Sequence, residues 1–310
     1  MPAAAVVYGA YSLLGAALTP GLKLWLKRRA RRGKEDPFRL GERFGHPSAP
    51  RPEGTLVWLH AASVGETQSV LTLVRALLAT HPAVHVLITT GTVTSAALVA
   101  QQHIARVIHQ FVPVDTPASV QHFLQHWQPD LALWVESELW PQLLWQTHRR
   151  GIPLLLINAR ISARTYARWQ AWPRTIRRIL SCFSAIYAGS SEDAARLHAL
   201  SGAPVEDVGN LKYDAAPLPT DAKLIEQLTS MGARRPAWVA ASTHANEEHM
   251  VARAHDIAAQ QFPSLLTIII PRHAARGDAI AADLRGHGYV LAQRYSSTYY
   301  KPTTAELDAW

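Results

Sequence analysis

A chain of 310 residues with 48% hydrophobic and 17% charged residues carries enough apolar material for two packed domains and too little charge for an intrinsically disordered protein. The formal net charge of +8 admits an anionic partner, whether nucleic acid, anionic lipid or an anionic substrate. The single cysteine, Cys182, excludes an intrachain disulfide and a cysteine zinc cluster, so a reducing compartment is expected.

Residues 1–22 contain no charged side chain, and 6–26 are apolar and rich in small residues, with Tyr8, Tyr11, Trp25 and an internal Pro20-Gly21. Lys23, Lys27, Arg28, Arg29, Arg31, Arg32 and Lys34 follow as one basic block. The apolar length is near the lower limit for spanning a bilayer, with the basic block then on the cytoplasmic side. No charged n-region or cleavage site marks a removable signal peptide. Three arrangements remain: a membrane anchor or interfacial helix, an in-plane amphipathic segment, and a helix packed on the protein. Nucleic-acid binding has no support from aromatic-basic interleaving or a recognisable fold signature.

After Pro47, Pro50 and Pro52, apolar strand candidates recur at 56–59, 84–89, 107–111, 131–135, 154–157, 185–188 and 205–208, with helical periodicity between them. The strands lack polar alternation, as expected where helices cover both faces of a parallel sheet. This predicts a doubly wound α/β domain whose strand-end loops carry function. The glycine fingerprint of a dinucleotide fold is absent.

The first such loop runs through Trp58-Leu59-His60-Ala61-Ala62-Ser63-Val64-Gly65-Glu66 into the helical run Val70, Leu73, Val74, Leu77. It sets Glu66 where a strand's carboxyl end meets free helix amides, a position from which a carboxylate can act as a base. The same spacing also makes a capping box with Ser63. The hydroxyl-rich 89–95 turn, with Thr90 in it, suits sugar hydroxyls or a phosphate, or plain turn-and-cap duty. Asp115 reads as an N-cap before Pro117. The fourth strand runs into Glu136-Ser137-Glu138-Leu139-Trp140-Pro141, with Glu136 at the strand end and Glu138 on the first helical turn. Two carboxylates near one hydroxyl raise at least one pKa; pairing of Glu136 with a basic side chain is the alternative.

The fifth strand leads to Asn158-Ala159-Arg160-Ile161-Ser162 and a helix with an apolar face of Trp169, Trp172, Ile176 and Ile179. Arg160, Arg164, Arg168, Arg174, Arg177 and Arg178 load the rest, and Pro173 should bend or divide it. That surface suits an anionic amphiphile or headgroup layer, or is a solvated outer helix. Gly189-Ser190-Ser191-Glu192-Asp193 is a helix start.

Lys212, in Gly209-Asn210-Leu211-Lys212-Tyr213-Asp214, is placed to meet an anionic ligand, and Pro217-Leu218-Pro219 reads as an interdomain connection. A second β-α alternation follows at 237–240 and 265–270, with Ser242-Thr243-His244 and Pro271-Arg272-His273 at the strand ends, and then a short strand at 289–291. Arg272 suits a phosphate and His273 a sugar hydroxyl; His273 lacks partners at metal-ligand spacing. About three strands and the 294–300 segment make an incomplete lobe, leaving a sheet edge to be covered.

Taken together, the 60–66, 136–141, 158–162, 209–214, 242–244 and 271–273 motifs, with Arg39-Leu40-Gly41-Glu42-Arg43-Phe44-Gly45 before them, occur in an order that resembles the bacterial Kdo (3-deoxy-D-manno-octulosonic acid) transferases acting on the lipid A precursor. The resemblance implies a GT-B glycosyltransferase of two Rossmann-like lobes, inverting, with CMP-Kdo as donor and neither cofactor nor metal. It implies Glu66 as general base and Ser63, Gly65, Thr90, Glu136 and Arg160 on the acceptor side. Lys212, Ser242, Thr243, Arg272 and His273 would meet the donor. The implied organisation is a membrane-associated segment and basic block at 1–38, an acceptor-binding domain at 39–208, a linker at 209–235 and a partial nucleotide-sugar-binding domain at 236–310. The implied place is the cytoplasmic face of the bacterial inner membrane, against anionic lipids. Family members continue beyond this endpoint with a glycine-rich segment, an Asn and a Leu-Glu-Pro motif that 291–310 does not contain. A catalytically deficient protein that binds or scaffolds the lipid A precursor is therefore the second expectation.

Overall fold

The computed structural model describes residues 2–214, 225–226, 229–230, 235–291 and 293, with side chains from residue 7 onward. The expected connection at 217–219 and the 294–300 segment lie outside the described residues. The chain divides into a unit of residues 1–217 and a unit of residues 218–310.

The first unit is a seven-stranded sheet of β1 (Leu56–His60), β2 (His85–Thr90), β3 (Val107–Phe111), β4 (Leu131–Val135), β5 (Leu154–Ala159), β6 (Ala185–Ala188) and β7 (Glu206–Asp207). Its order is β3-β2-β1-β4-β5-β6-β7 and every pairing is parallel. The chain first builds outward from β1 to β3, then returns to the other side of β1 with β4. The order reverses there, and in such sheets ligands bind outside the carboxyl ends of the strands flanking that point. The 56–60 strand is buried at every position because helices lie on both faces.

The helices are α1 (Pro2–Arg31), α2 (Val64–Thr80), α3 (Val93–Gln101), α4 (Pro117–Trp127), α5 (Pro141–Arg149), α6 (Ala163–Gln170), α7 (Pro173–Leu180) and α8 (Ser191–Ser201). One core layer holds Trp58, Phe123, Trp127 and Trp134 under α4 and α5. The indole rings of Trp58 and Trp134 meet edge to face at 5.0 Å. Their polar handles are satisfied: Trp58 Nε1 donates to Thr89 Oγ1 at 2.9 Å and Trp127 Nε1 to Gln110 Oε1 at 2.7 Å. Pro173 divides the arginine-rich segment into α6 and α7 because it supplies no amide to an interior turn. Trp172, expected on the apolar face, lies 62% exposed as the residue capping α7, outside the helical periodicity that buries Ile176.

Helix α1 packs on the first unit. Tyr8 donates to Gln142 Oε1 at 2.8 Å and Tyr11 to Asp115 Oδ2 at 2.9 Å. Its other face leaves Leu13 (75% exposed), Leu14, Leu18 and Leu24 uncovered. Among the described residues no helix is long and apolar enough to cross a membrane. Asp115 does not cap α4 as expected; its carboxylate accepts from the amides of Gln142 and Leu143 at 3.0 and 2.8 Å. The reason lies at both helix starts: Pro117 gives α4 no first amide, and Trp140 gives α5 no side-chain acceptor. Arg43 lies between the Glu35 carboxylate and the carbonyls of Gly91 and Val112, tying the segment behind the basic block to the ends of β2 and β3.

The second unit contains a parallel pair, β8 (Ala237–Thr243) and β9 (Leu266–Pro271), joined through α9 (Glu247–Ala259), and then α10 (Gly277–Gly286). The expected strand at 289–291 does not form. The Tyr289 amide closes back on the Leu284 carbonyl at the end of α10, and Val290 stands 99% exposed.

Candidate active site

Glu66 lies in the first turn of α2, directly after β1, at the point where the sheet order reverses. Ser63 caps the helix, its Oγ accepting from the Glu66 amide at 3.3 Å and donating to Glu66 Oε1 at 2.8 Å. Glu66 Oε2 accepts from the Ala62 amide at 2.8 Å. The capping geometry and a carboxylate at the strand-order reversal thus coincide in one residue. Both oxygens are held by one donor each, which leaves acceptor capacity on each. Glu66 is only 9% exposed, and burial raises its pKa; the bonds from Ser63 and Ala62 oppose this, and the charges of Glu136 and Glu138 add to the rise.

The surroundings of that carboxylate are open on one side. Ser63 and Gly65 are exposed, and a Cβ built on Gly65 meets nothing within 4 Å. On the other side the loop after β2 presses in: Gly91 donates to the Ala62 carbonyl at 3.0 Å, and a Cβ at Gly91 would fall 2.9 Å from that oxygen. Thr90 is not part of this surface. It is the last residue of β2, fully buried, with its hydroxyl on His109 Nε2 at 2.9 Å.

Glu136 follows β4, the neighbour of β1, and takes a left-handed backbone at φ 59°. Its Oε1 accepts from Lys212 Nζ at 2.8 Å, and Arg160 Nη1 stands 4.0 Å away. The pairing alternative for Glu136 is therefore the geometry found, and Lys212 lies on the same surface as Glu136 and Arg160. Glu138 falls in the turn before α5, where it accepts from Trp140 Nε1 at 2.6 Å, because Pro141 starts the helix. Asn158, at the irregular end of β5, is also left-handed at φ 49° and buried; its Oδ1 accepts from the Leu211 amide at 3.3 Å and so seats the 211–214 turn that carries Lys212. Non-glycine residues in this region cost about 1–2 kcal/mol each and gather where a loop is held for function.

Below these loops the fully buried His60 shares its Nδ1 with Thr89 Oγ1 at 3.0 Å and packs its ring 4.5 Å from Trp134. Burial pushes its pKa down to about 3, so the ring is neutral and structural.

In the second unit, Ser242 is exposed at φ 61° beside a register shift at the end of β8. Thr243 is buried, donating to Glu248 Oε1 at 2.8 Å, so its hydroxyl is committed. Glu248 takes a two-point clasp from Arg276 at 3.0 and 2.9 Å. Burial pushes this carboxyl up, but the bonds from Arg276 and Thr243 outweigh it and hold the pKa below the usual range. Arg272 and His273 are exposed after β9, and no side-chain hydrogen bond or ion pair engages them among the described residues. The sequence reading missed Arg276, which carries no signal in spacing, and the seating of the Lys212 turn by Asn158, which depends on a backbone conformation invisible in composition.

Residues 38–215 match the family model described as 3-deoxy-D-manno-octulosonic-acid transferase (kdotransferase). The chain is 33% identical over 308 residues to a probable mitochondrial 3-deoxy-D-manno-octulosonic acid transferase of Arabidopsis thaliana, covering 97% of this chain and 69% of that protein. It is 34% identical over 266 residues to the 3-deoxy-D-manno-octulosonic acid transferase of Haemophilus influenzae, covering 83% of this chain and 61% of that one. In fold it is similar to a putative UDP-N-acetylglucosamine 2-epimerase of Listeria monocytogenes, with a TM-score of 0.55 at 12% identity over 82% of this chain and 70% of that one. That likeness concerns the fold alone, a mixed α/β architecture of the two-lobed GT-B type.

Proposed function

The chain belongs to the 3-deoxy-D-manno-octulosonic acid (Kdo) transferase family, and from that premise we propose that it moves Kdo from CMP-Kdo to a sugar hydroxyl of a lipid A precursor, with Glu66 as general base. The observation that carries the reading is the Glu66 carboxylate itself, buried at the strand-order reversal, with its pKa raised and exposed Ser63 and Gly65 beside it. A carboxylate raised toward working pH removes a hydroxyl proton more effectively than an ordinary glutamate. The bonds from Ser63 and Ala62 hold its oxygens in one orientation before substrate arrives.

In the proposed step the acceptor hydroxyl gives its proton to Glu66 as its oxygen bonds to the anomeric carbon of Kdo. The bond from that carbon to the phosphate oxygen of CMP breaks, and the electron pair leaves with CMP. A single displacement of this kind inverts the anomeric centre. Glu136, with Lys212 and Arg160, offers an acceptor and two cations suited to the hydroxyls and phosphates of a phosphorylated disaccharide. Arg272 and His273, exposed and without a side-chain partner among the described residues, suit the phosphate and carboxylate of the donor, and Ser242 its hydroxyls. The uncovered leucines of α1 and the basic block behind them support attachment to the cytoplasmic face of a membrane rich in anionic lipid.

The test is incubation of the chain with CMP-Kdo and a tetraacylated lipid A precursor. The expected product is a lipid heavier by one or more Kdo residues, absent with Glu66→Gln. Full activity in that variant sinks the role of Glu66. Calorimetry that detects lipid but not CMP binding sinks the transfer reading and favours a binding protein.

A further inference from the structure

A cluster in the second unit stands apart from every residue used above. His249 occupies the first turn of α9, Asp283 the last turn of α10, and His287 caps α10. One ligand atom from each lies within 4.8 Å of the others. His249 Nε2 is 3.2 Å from Asp283 Oδ2, and the two imidazole rings meet edge to face at 5.4 Å. We propose that His249, Asp283 and His287 form a binding site for a first-row divalent transition metal of the zinc class, which clips α9 to α10.

The donor set argues the class. Two imidazole nitrogens and one carboxylate oxygen are what zinc and its neighbours take, whereas magnesium and calcium require oxygen throughout. Three protein ligands leave a fourth position for water, and all three residues are exposed, so an ion reaches them without opening the fold. Bonds of about 2.0–2.1 Å at tetrahedral angles put ligand atoms about 3.3 Å apart. The His249–Asp283 pair already has that spacing, and the third ligand closes by rotation of an exposed side chain.

The arrangement is also held from behind. Asp283 and His287 sit one helical turn apart, so both point from the same face of α10. His287 Nδ1 lies 2.9 Å from the Asp283 carbonyl and 3.7 Å from its Oδ1, so the ring already stands beside the carboxylate with which it would share the ion. Gly288, at φ 89°, turns the chain so that the Tyr289 hydroxyl reaches Asp256 Oδ2 of α9 at 2.5 Å. That bond fixes the end of α10 against the helix that carries His249. Among the described residues this unit's sheet has two strands, and a metal bridge between α9 and α10 adds a constraint between its helices.

The experiment is calorimetric titration of the full chain with zinc chloride, paired with thermal unfolding with and without the ion. Wild type is expected to bind one zinc ion at this site and to unfold at a higher temperature in its presence. His249→Ala and His287→Ala should each weaken that binding by at least about 10-fold, the least expected from losing a metal-site partner, and the double variant should lose both the binding and the thermal shift. All three positions are exposed, so the variants fold; their unfolding without zinc checks this. Absence of binding in wild type, or unchanged affinity and thermal shift in the double variant, overturns the proposal.

Discussion

The strand ends of the two units handle charge in opposite ways. In the first, the acidic and basic groups answer one another: Glu66 is buried and held by Ser63 and Ala62, and Glu136 is paired with Lys212. In the second, Arg272 and His273 are exposed with no side-chain partner among the described residues, and the ordered pair is Glu248 with Arg276. The first arrangement fixes the orientation of a buried carboxylate, whereas the second leaves the Arg272 guanidinium, whose natural complement is an anion supplied from outside.

The contrast breaks most directly at Glu66. Glu66→Gln should cut transfer by about 10²–10⁴-fold, the usual worth of a general base, while the unfolding midpoint stays near wild type because glutamine can still accept from Ala62. Loss of folding together with activity would make Glu66 a cap alone. The rigidity of the first unit can be tested at Arg43, whose guanidinium shares the nearly inaccessible Glu35 carboxylate with Arg29. With Arg29 still on Glu35, Arg43→Ala should lower the unfolding free energy by about 1.5–3 kcal/mol, the worth of a hydrogen bond to a charged group, as read by urea denaturation. A change below about 1 kcal/mol would mean that Arg29 by itself satisfies Glu35.

The open character of the second unit is sharpened by Arg272→Ala. Removing a charge-assisted contact of about 1.5–3 kcal/mol should raise the KM for CMP-Kdo by about 10–100-fold with little change in stability. An unchanged KM would assign the donor phosphate elsewhere. The smallest effect concerns pH. Because burial and then the Glu136 charge raise the Glu66 pKa, the acid limb of kcat/KM should stand above the ordinary glutamate range, since protonation of the proposed base would stop the reaction. Glu136→Gln should move that limb downward. Stability follows opposite signs in the two units: the raised pKa of Glu66 makes its contribution fall as pH rises through the window above the ordinary glutamate value. The lowered pKa of Glu248 makes its contribution disappear as pH falls through the window below that value.

Much of this was legible in the sequence because it is periodic. Uninterrupted apolar runs at 56–59 and 131–135 name buried strands, and the helical spacing after Gly65 sets Glu66 on the first turn of a helix. The segment at 289–291 reads as a strand by the same rule, yet it closes on α10, since three apolar-leaning residues cannot state whether a neighbouring strand exists. Thr90 shows a similar limit: a hydroxyl in a turn-like string is indistinguishable from one at a buried strand end until His109 is seen beside it.

Local pattern and ordered motifs, then, determined the class of fold, the family and the place of Glu66 on its own strand and helix, because each depends on residues close in the chain. Tertiary structure alone decided that Asp115 serves α5, that Lys212 pairs with Glu136 across 76 positions, and that His249 meets Asp283 and His287. Those pairings are set by which strands and helices become neighbours, and the left-handed turns at Glu136 and Asn158 that complete the first surface are held by contacts no local propensity favours.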